Sequence, residues 1–159
     1  MITDDFVAYA GRVQARFDQP RDGDELTGLV SRTISSVAKG CMRDGARLIG
    51  HIKCIAEGDS GKYIACSVVS ADSEAICRRE MDERSMSLNL VMNVLIYGLD
   101  KARVEGIVVR SAREIFPARG MRLEFEDLEH EEHGHCESES VHEGHEHEGH
   151  EHEDQGHEH

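Results

Sequence analysis

The sequence predicts an α+β fold: an N-terminal helical hairpin, a mostly antiparallel sheet packed on a buried apolar helix, and a disordered C-terminal tail. Three observations predict it. Apolar residues recur at helical spacing near the N-terminus, strict alternation flanks a turn sequence in the middle, and the composition changes abruptly at Glu129. Residues 1–128 are thus expected to form a single domain, and residues 129–159 an appended tail.

Phe6, Ala10, Val13 and Phe17 stand at helical intervals, so residues 4–17 read as an amphipathic helix. Pro20 and Gly23 end it. Asp22 and Glu25, three apart, resemble a capping box. Leu26, Val30, Val37 and Cys41 mark a second helix, closed by Gly45. Residues 46–57 and 62–71 read as strands, and GDSG at 58–61 is a hairpin turn between them. Leu48, Ile52, Cys54 and Ala56 are expected on one face of the first strand. Arg47, Ile49, His51, Lys53, Ile55 and Glu57 are expected on the other. Residues 75–80 suggest a short third strand. Met86 to Ala102 is the most apolar stretch, and its length favours a largely buried helix capped by Ser85 or Ser87. Val104–Arg110 and Met121–Glu126 complete the sheet as strands.

Charge divides the chain. Twelve of its 32 acids and none of its 18 bases lie from Glu129 onward, which leaves 20 acids against 18 bases in residues 1–128. The body therefore has no surplus of base with which to neutralise the phosphates of a nucleic acid. Leu88–Tyr97 is too short to span a membrane and is interrupted by Asn89 and Asn93. The N-terminus carries Asp4 and Asp5 where a signal peptide needs positive charge. Cys41, Cys54, Cys66, Cys77 and Cys136 are widely spaced with no CxxC pair, and read as reduced thiols of a cytoplasmic protein.

Ten of the eleven histidines fall in the last thirty residues. They are His130, His133, His135, His142, His145, His147, His150, His152, His157 and His159. With one aliphatic residue, Val141, and no aromatic, this segment cannot offset the entropy of ordering its backbone. HEGHE occurs at 142–146 and again at 147–151. Neutral imidazole is a good ligand for zinc, nickel, copper and cobalt, and neighbouring donors in a flexible chain close small rings at little entropic cost. His145 with His147, and His150 with His152, form such pairs. His133, His135 and Cys136 add a thiolate to two imidazoles. The glycines let the backbone bend, and the glutamates attract cations and raise histidine basicity. Donors without fixed geometry predict several overlapping sites of similar affinity, which release metal as pH falls from about 7 to about 6.

The stretch HEEHGHCESESVHEGHEHEGHEHEDQGHEH resembles the histidine-rich segments of nickel, cobalt and zinc metallochaperones, including hydrogenase- and urease-maturation GTPases and their accessory proteins. The resemblance covers about a fifth of the chain and implies metal handling as a class. Its implied partners are a metalloenzyme-maturation factor or a metal transporter. The chain lacks the GxxxxGK[ST] phosphate loop of the GTPase members.

The body offers weaker candidates. His51 and Cys54 point to opposite faces of a strand, so a surface histidine and a core cysteine explain them. Cys54 and Cys66 could face each other across the hairpin, and Cys41 fits the last core position of its helix. Met81, Met86 and Met92 read as core. Arg78, Arg79, Arg84, Arg103, Arg110, Arg113, Arg119 and Arg122 cluster late in the body. RSAREIFPARG at 110–120 suggests an anion-binding loop with Ser111 as a helix cap. The alternative function is accordingly an anionic-ligand domain or enzyme built on those arginines. No nucleophile or acid–base pair marks a catalytic centre, and a homodimer is expected from an exposed sheet edge or an apolar helix face.

Overall fold

The computed structural model describes residues 5–116 and 120–129. In order, the elements are β1 (Phe6–Arg21), α1 (Gly23–Arg43), β2 (Leu48–Gly58), β3 (Tyr63–Val68), β4 (Ile76–Arg79), β5 (Ser85–Tyr97), α2 (Lys101–Ile115) and β6 (Met121–Asp127). The strands form one six-stranded antiparallel sheet in the order β4-β3-β2-β5-β1-β6. The inward faces of the strands and helices share a single hydrophobic core.

The segment expected to be the first helix is the strand β1, so there is no helical hairpin at the N-terminus. Tyr9, Gly11, Val13, Ala15 and Phe17 are buried at every second position, with Ala10, Arg12, Gln14 and Arg16 between them on the other side. Val13 and Phe17 satisfy both periods. Two of the inward residues, Gly11 and Ala15, are small, which hides the period of two. Gly11 is small for a reason: a Cβ there would meet the Tyr9 hydroxyl at 2.3 Å.

The apolar stretch expected to be a buried helix is the central strand β5, flanked by β2 and β1. Leu88, Leu90, Met92, Val94 and Ile96 point into the core. Because both of its faces carry apolar residues, alternation is blurred in the sequence. Ser85 and Ser87 cap no helix. The Ser85 hydroxyl instead accepts from Asp59 N–H at 2.9 Å and donates to the Ser87 carbonyl at 2.7 Å. The stretch expected as a strand at 104–110 lies within α2, whose buried residues Val104, Ile107, Val108, Ser111 and Ala112 keep helical spacing. Ser111 is therefore inside a helix, not its cap, and Asp100 caps α2 by accepting from Arg103 N–H at 2.9 Å.

Other elements agree with their sequence signals. Asp22 caps α1 by accepting from Glu25 N–H at 2.8 Å, and Gly45 follows the helix with φ of 110°. The β2–β3 hairpin turns where expected, and β4 and β6 are strands. One correction falls in β2. The register slips between Ile49 and His51, so Gly50 is an extra residue and Ile49, not Leu48, faces the core.

Both helices lie on the same face of the sheet, α1 over β2, β3 and β4, and α2 over β1. Among the described residues no element covers the opposite face. Cys66 and Cys77 are register partners on β3 and β4 with Cα atoms 4.1 Å apart, and they form a disulfide. The expectation that all cysteines are reduced is thereby corrected. The pairing is cross-strand, so no short-range motif announces it, and the thiol count no longer argues for a reducing compartment. No described helix is long and apolar enough to cross a membrane.

Candidate functional site

Every histidine from His130 to His159, and Cys136 with them, lies outside the described residues. Where that segment begins is defined. Strand β6 ends at Asp127, and Glu129 follows beside the start of α2. Lys101 opens that helix, where the positive end of the helix dipole disfavours a cation. Two carboxylates offset this: Lys101 Nζ lies 2.5 Å from Glu129 and 3.5 Å from Asp127. The hydrogen bond that Lys101 donates to Glu129 raises the lysine pKa. Beneath this pair, the Tyr9 phenol is pushed up to about 12, first by burial and then by Glu105, Asp127 and Glu129. The root of the tail is therefore held by charge on the helical side of the molecule.

On that same side a groove of about 340 Å³ runs between α1 and α2. The helices cross antiparallel and closely at Gly40, where a Cβ would meet Ile107 Cγ2 at 2.7 Å. Next to the crossing, Ser36 Oγ donates to Ser111 Oγ at 3.1 Å. Arg32, Ser36, Lys39 and Arg43 recur at intervals of four, three and four, so they form one stripe along α1. Arg110 enters from α2 and lies 3.6 Å from Asp44. Among the described residues Arg32, Lys39 and Arg43 pair with no carboxylate, and Glu114 is the one acid on the groove wall. An elongated strip of cations and hydroxyls of this kind attracts anions spread along a chain.

The late-body arginines do not converge. Arg79 pairs with Asp24 at 2.5 Å and with Asp82 at 3.8 Å, and Arg103 with Asp100 at 3.9 Å. Arg113 lies over the Phe125 ring at 5.4 Å, while Arg78, Arg84 and Arg122 are exposed at separate places. Arg119 lies outside the described residues. The depression beside Arg110 and Arg113 is lined by α2 alone, with Glu105 and Glu114. Of the expected cluster only Arg110 reaches the interhelical groove. The α1 stripe of Arg32, Lys39 and Arg43 went unnoticed in the sequence, although its helical spacing was the signal that could have found it.

The remaining candidates are structural. His51 is half-buried on the open face with its pKa lowered by burial and by Lys53, while Cys54 points into the core. Cys54 and Cys66 do face each other in register. Burial pushes the Cys54 thiol up to about 12, and burial together with Asp44 pushes Cys41 to about 11, so neither is a thiolate at neutral pH. Met81 and Met92 are buried, whereas Met86 is partly exposed. Among the described residues no three His, Cys, Asp or Glu side chains are grouped to hold a metal ion. No protein-family model, curated protein or solved structure matches this chain.

Proposed function

We infer that this chain is a transition-metal-binding accessory protein, a metallochaperone or metal buffer for nickel, zinc or cobalt. The tail collects the ion, and the body presents it to a partner. The single observation that carries the reading is the density of imidazoles: ten histidines and Cys136 within thirty residues, spaced as HxH and HxxH. Handing an ion on would proceed by ligand substitution from tail imidazoles to a deeper site. The receiving partner in this reading is a metalloenzyme-maturation factor or a metal transporter. The body pairs with a second copy through its open sheet face.

The alternative, an anionic-ligand domain or enzyme using the arginine cluster, has less support. Four of those eight arginines, Arg79, Arg103, Arg110 and Arg113, are engaged by separate carboxylates or by an aromatic ring, and Arg78, Arg84 and Arg122 are exposed at separate places.

The test is a calorimetric titration of Ni²⁺, Zn²⁺ and Co²⁺ into the full chain and into a full-length variant with all ten tail histidines replaced by Asn. Several ions per chain are expected for the native protein, with loss of binding between about pH 7 and about pH 6. The variant should lose most of that stoichiometry. An unchanged stoichiometry in the variant would refute the reading.

A further inference from the structure

We propose that the chain's own acidic tail docks along the basic groove between α1 and α2, and that divalent metal releases it. The docking stands on the geometry and charge of the body; its control by metal rests on the metal-binding reading above.

The groove supplies one half of the match. Arg32, Lys39 and Arg43 span twelve residues of α1, about 16 Å of helix at ~1.5 Å per residue step. All three are exposed and none pairs with a carboxylate among the described residues, Arg32 Nε donating to the Gly28 carbonyl at 3.2 Å, and Arg110 extends the strip from the facing helix. The strip lies at the C-terminal half of α1, where no free backbone N–H groups point outward to cradle a single compact anion. Charges spaced along a helix suit carboxylates spaced along a strand.

The tail supplies the other half. Residues 130–159 hold eleven acids and no Lys or Arg, a net of −11 with neutral histidines. No other segment of the chain is so one-sided. Its hydroxyl-lined counterpart is apt as well, because Ser31 and Ser35 offer donors to carboxylates.

Reach is not limiting. The tail root sits at Lys101, and Ser111 on the groove wall is ten residues along the same helix, about 15 Å away. A random coil of thirty residues would have a root-mean-square span of roughly 30 Å, so the groove is within reach of a segment of that length. Tethering holds the local concentration of tail near the millimolar range, so individually weak ion pairs suffice.

Metal couples to this because the same residues hold both. Three bound divalent ions would bring the tail from −11 to −5, and imidazole ligation would draw the glutamates into compact loops. An unloaded tail lies on the body, and a loaded tail is free to meet a recipient.

Zero-length carbodiimide cross-linking of the full chain, read by mass spectrometry, tests this. Lys39 should link to carboxylates in 130–159 about fivefold more at about 50 mM than at about 500 mM salt. A full-length Arg32→Glu, Arg43→Glu variant should lose the Lys39 links while its circular dichroism stays native. A Lys39 yield in the metal-free chain that is the same at both salt concentrations would overturn the docking, as would titratable binding of inorganic phosphate in the groove without tail links. Saturating Zn²⁺ should cut the Lys39 yield several-fold, and an undiminished yield with zinc bound would overturn metal control. A chain that shows the Lys39 links yet binds no zinc sinks the metal-binding reading and leaves the docking established.

Discussion

Asp59 illustrates how much a single turn residue can organise. It sits at the β2–β3 turn, but its carboxylate reaches the start of β5, accepting from Met86 N–H at 2.7 Å and from the Ser87 hydroxyl. The Ser87 hydrogen bond, then that from Met86, lowers its pKa. A carboxylate with a depressed folded pKa adds stability that is present above its unfolded value of ~3.8 and is lost as pH falls through the folded value. Asp59→Asn should therefore be less stable than the native chain at about pH 5, with a smaller gap at about pH 3, below the unfolded value. Asp59 is exposed, so solvent screening limits the gap to less than about 1 kcal/mol. Urea midpoints at the two pH values check this; a gap that persists unchanged at low pH would refute it. The sequence marked this stretch as a turn, yet nothing local indicated that its carboxylate fastens a strand more than twenty-five residues away.

Among the elements, the α1–α2 crossing is set by one glycine. Gly40→Ala gains about 1 kcal/mol in helix propensity, but its Cβ would press against Ile107 Cγ2 at 2.7 Å in a fully buried position. Overpacking of that kind costs about 1–3 kcal/mol, so the net change should be destabilising by up to about 2 kcal/mol. The sign should reverse in an Ile107→Ala background, where Cγ2 is absent. Chemical denaturation of the four members of this cycle measures it, and a destabilisation that survives in the Ile107→Ala background would show another cause. Legibility varied by element in the same physical terms. Caps and turns act over three or four residues, so Asp22, Gly45 and the GDSG turn were readable. Strand β1 was misread because Val13 and Phe17 serve both periods, and β5 because a central strand apolar on both faces has the length and composition of a buried helix. With those two reversed, α2 was forced into the sheet. The groove stripe on α1 was legible, since that helix was assigned correctly. The Cys66–Cys77 pair was not, because it depends on the register of β4.

For the molecule as a whole, one large surface is unaccounted for: the sheet face opposite the helices. Leu48 (57% exposed), Ile55 (55%) and Phe6 (39%) lie on it, with Val91, Leu95 and Tyr97 between them. Register aligns Phe6, Tyr97 and Leu48 across three strands, and Arg12, Val91 and Ile55 across the same three. The tail is unsuited to cover this band, having a single aliphatic residue. A second copy suits it. Six strands ~4.8 Å apart, with about eight residues each at ~3.4 Å, give a face of roughly 700 Å². That is close to the ~800 Å² per partner of a specific interface. Charges of both signs flank the band, including Arg16, Lys53, Glu57 and Glu124, so a twofold arrangement can set unlike charges opposite each other. The native chain should therefore sediment as a dimer, and Ile55→Asp as a monomer of 17.8 kDa. Because Ile55 is more than half exposed, the substitution should leave thermal stability of the isolated fold nearly unchanged, which separates loss of association from loss of folding. Sedimentation equilibrium at about 100 µM, well above the dissociation constant such an area supports, decides the matter: a monomeric native chain there would refute sheet-to-sheet pairing. A dimer would place the two interhelical grooves, and with them the two tail roots, on opposite outer surfaces. On the metal-binding reading proposed above, each copy would then load and release metal without obstructing the other.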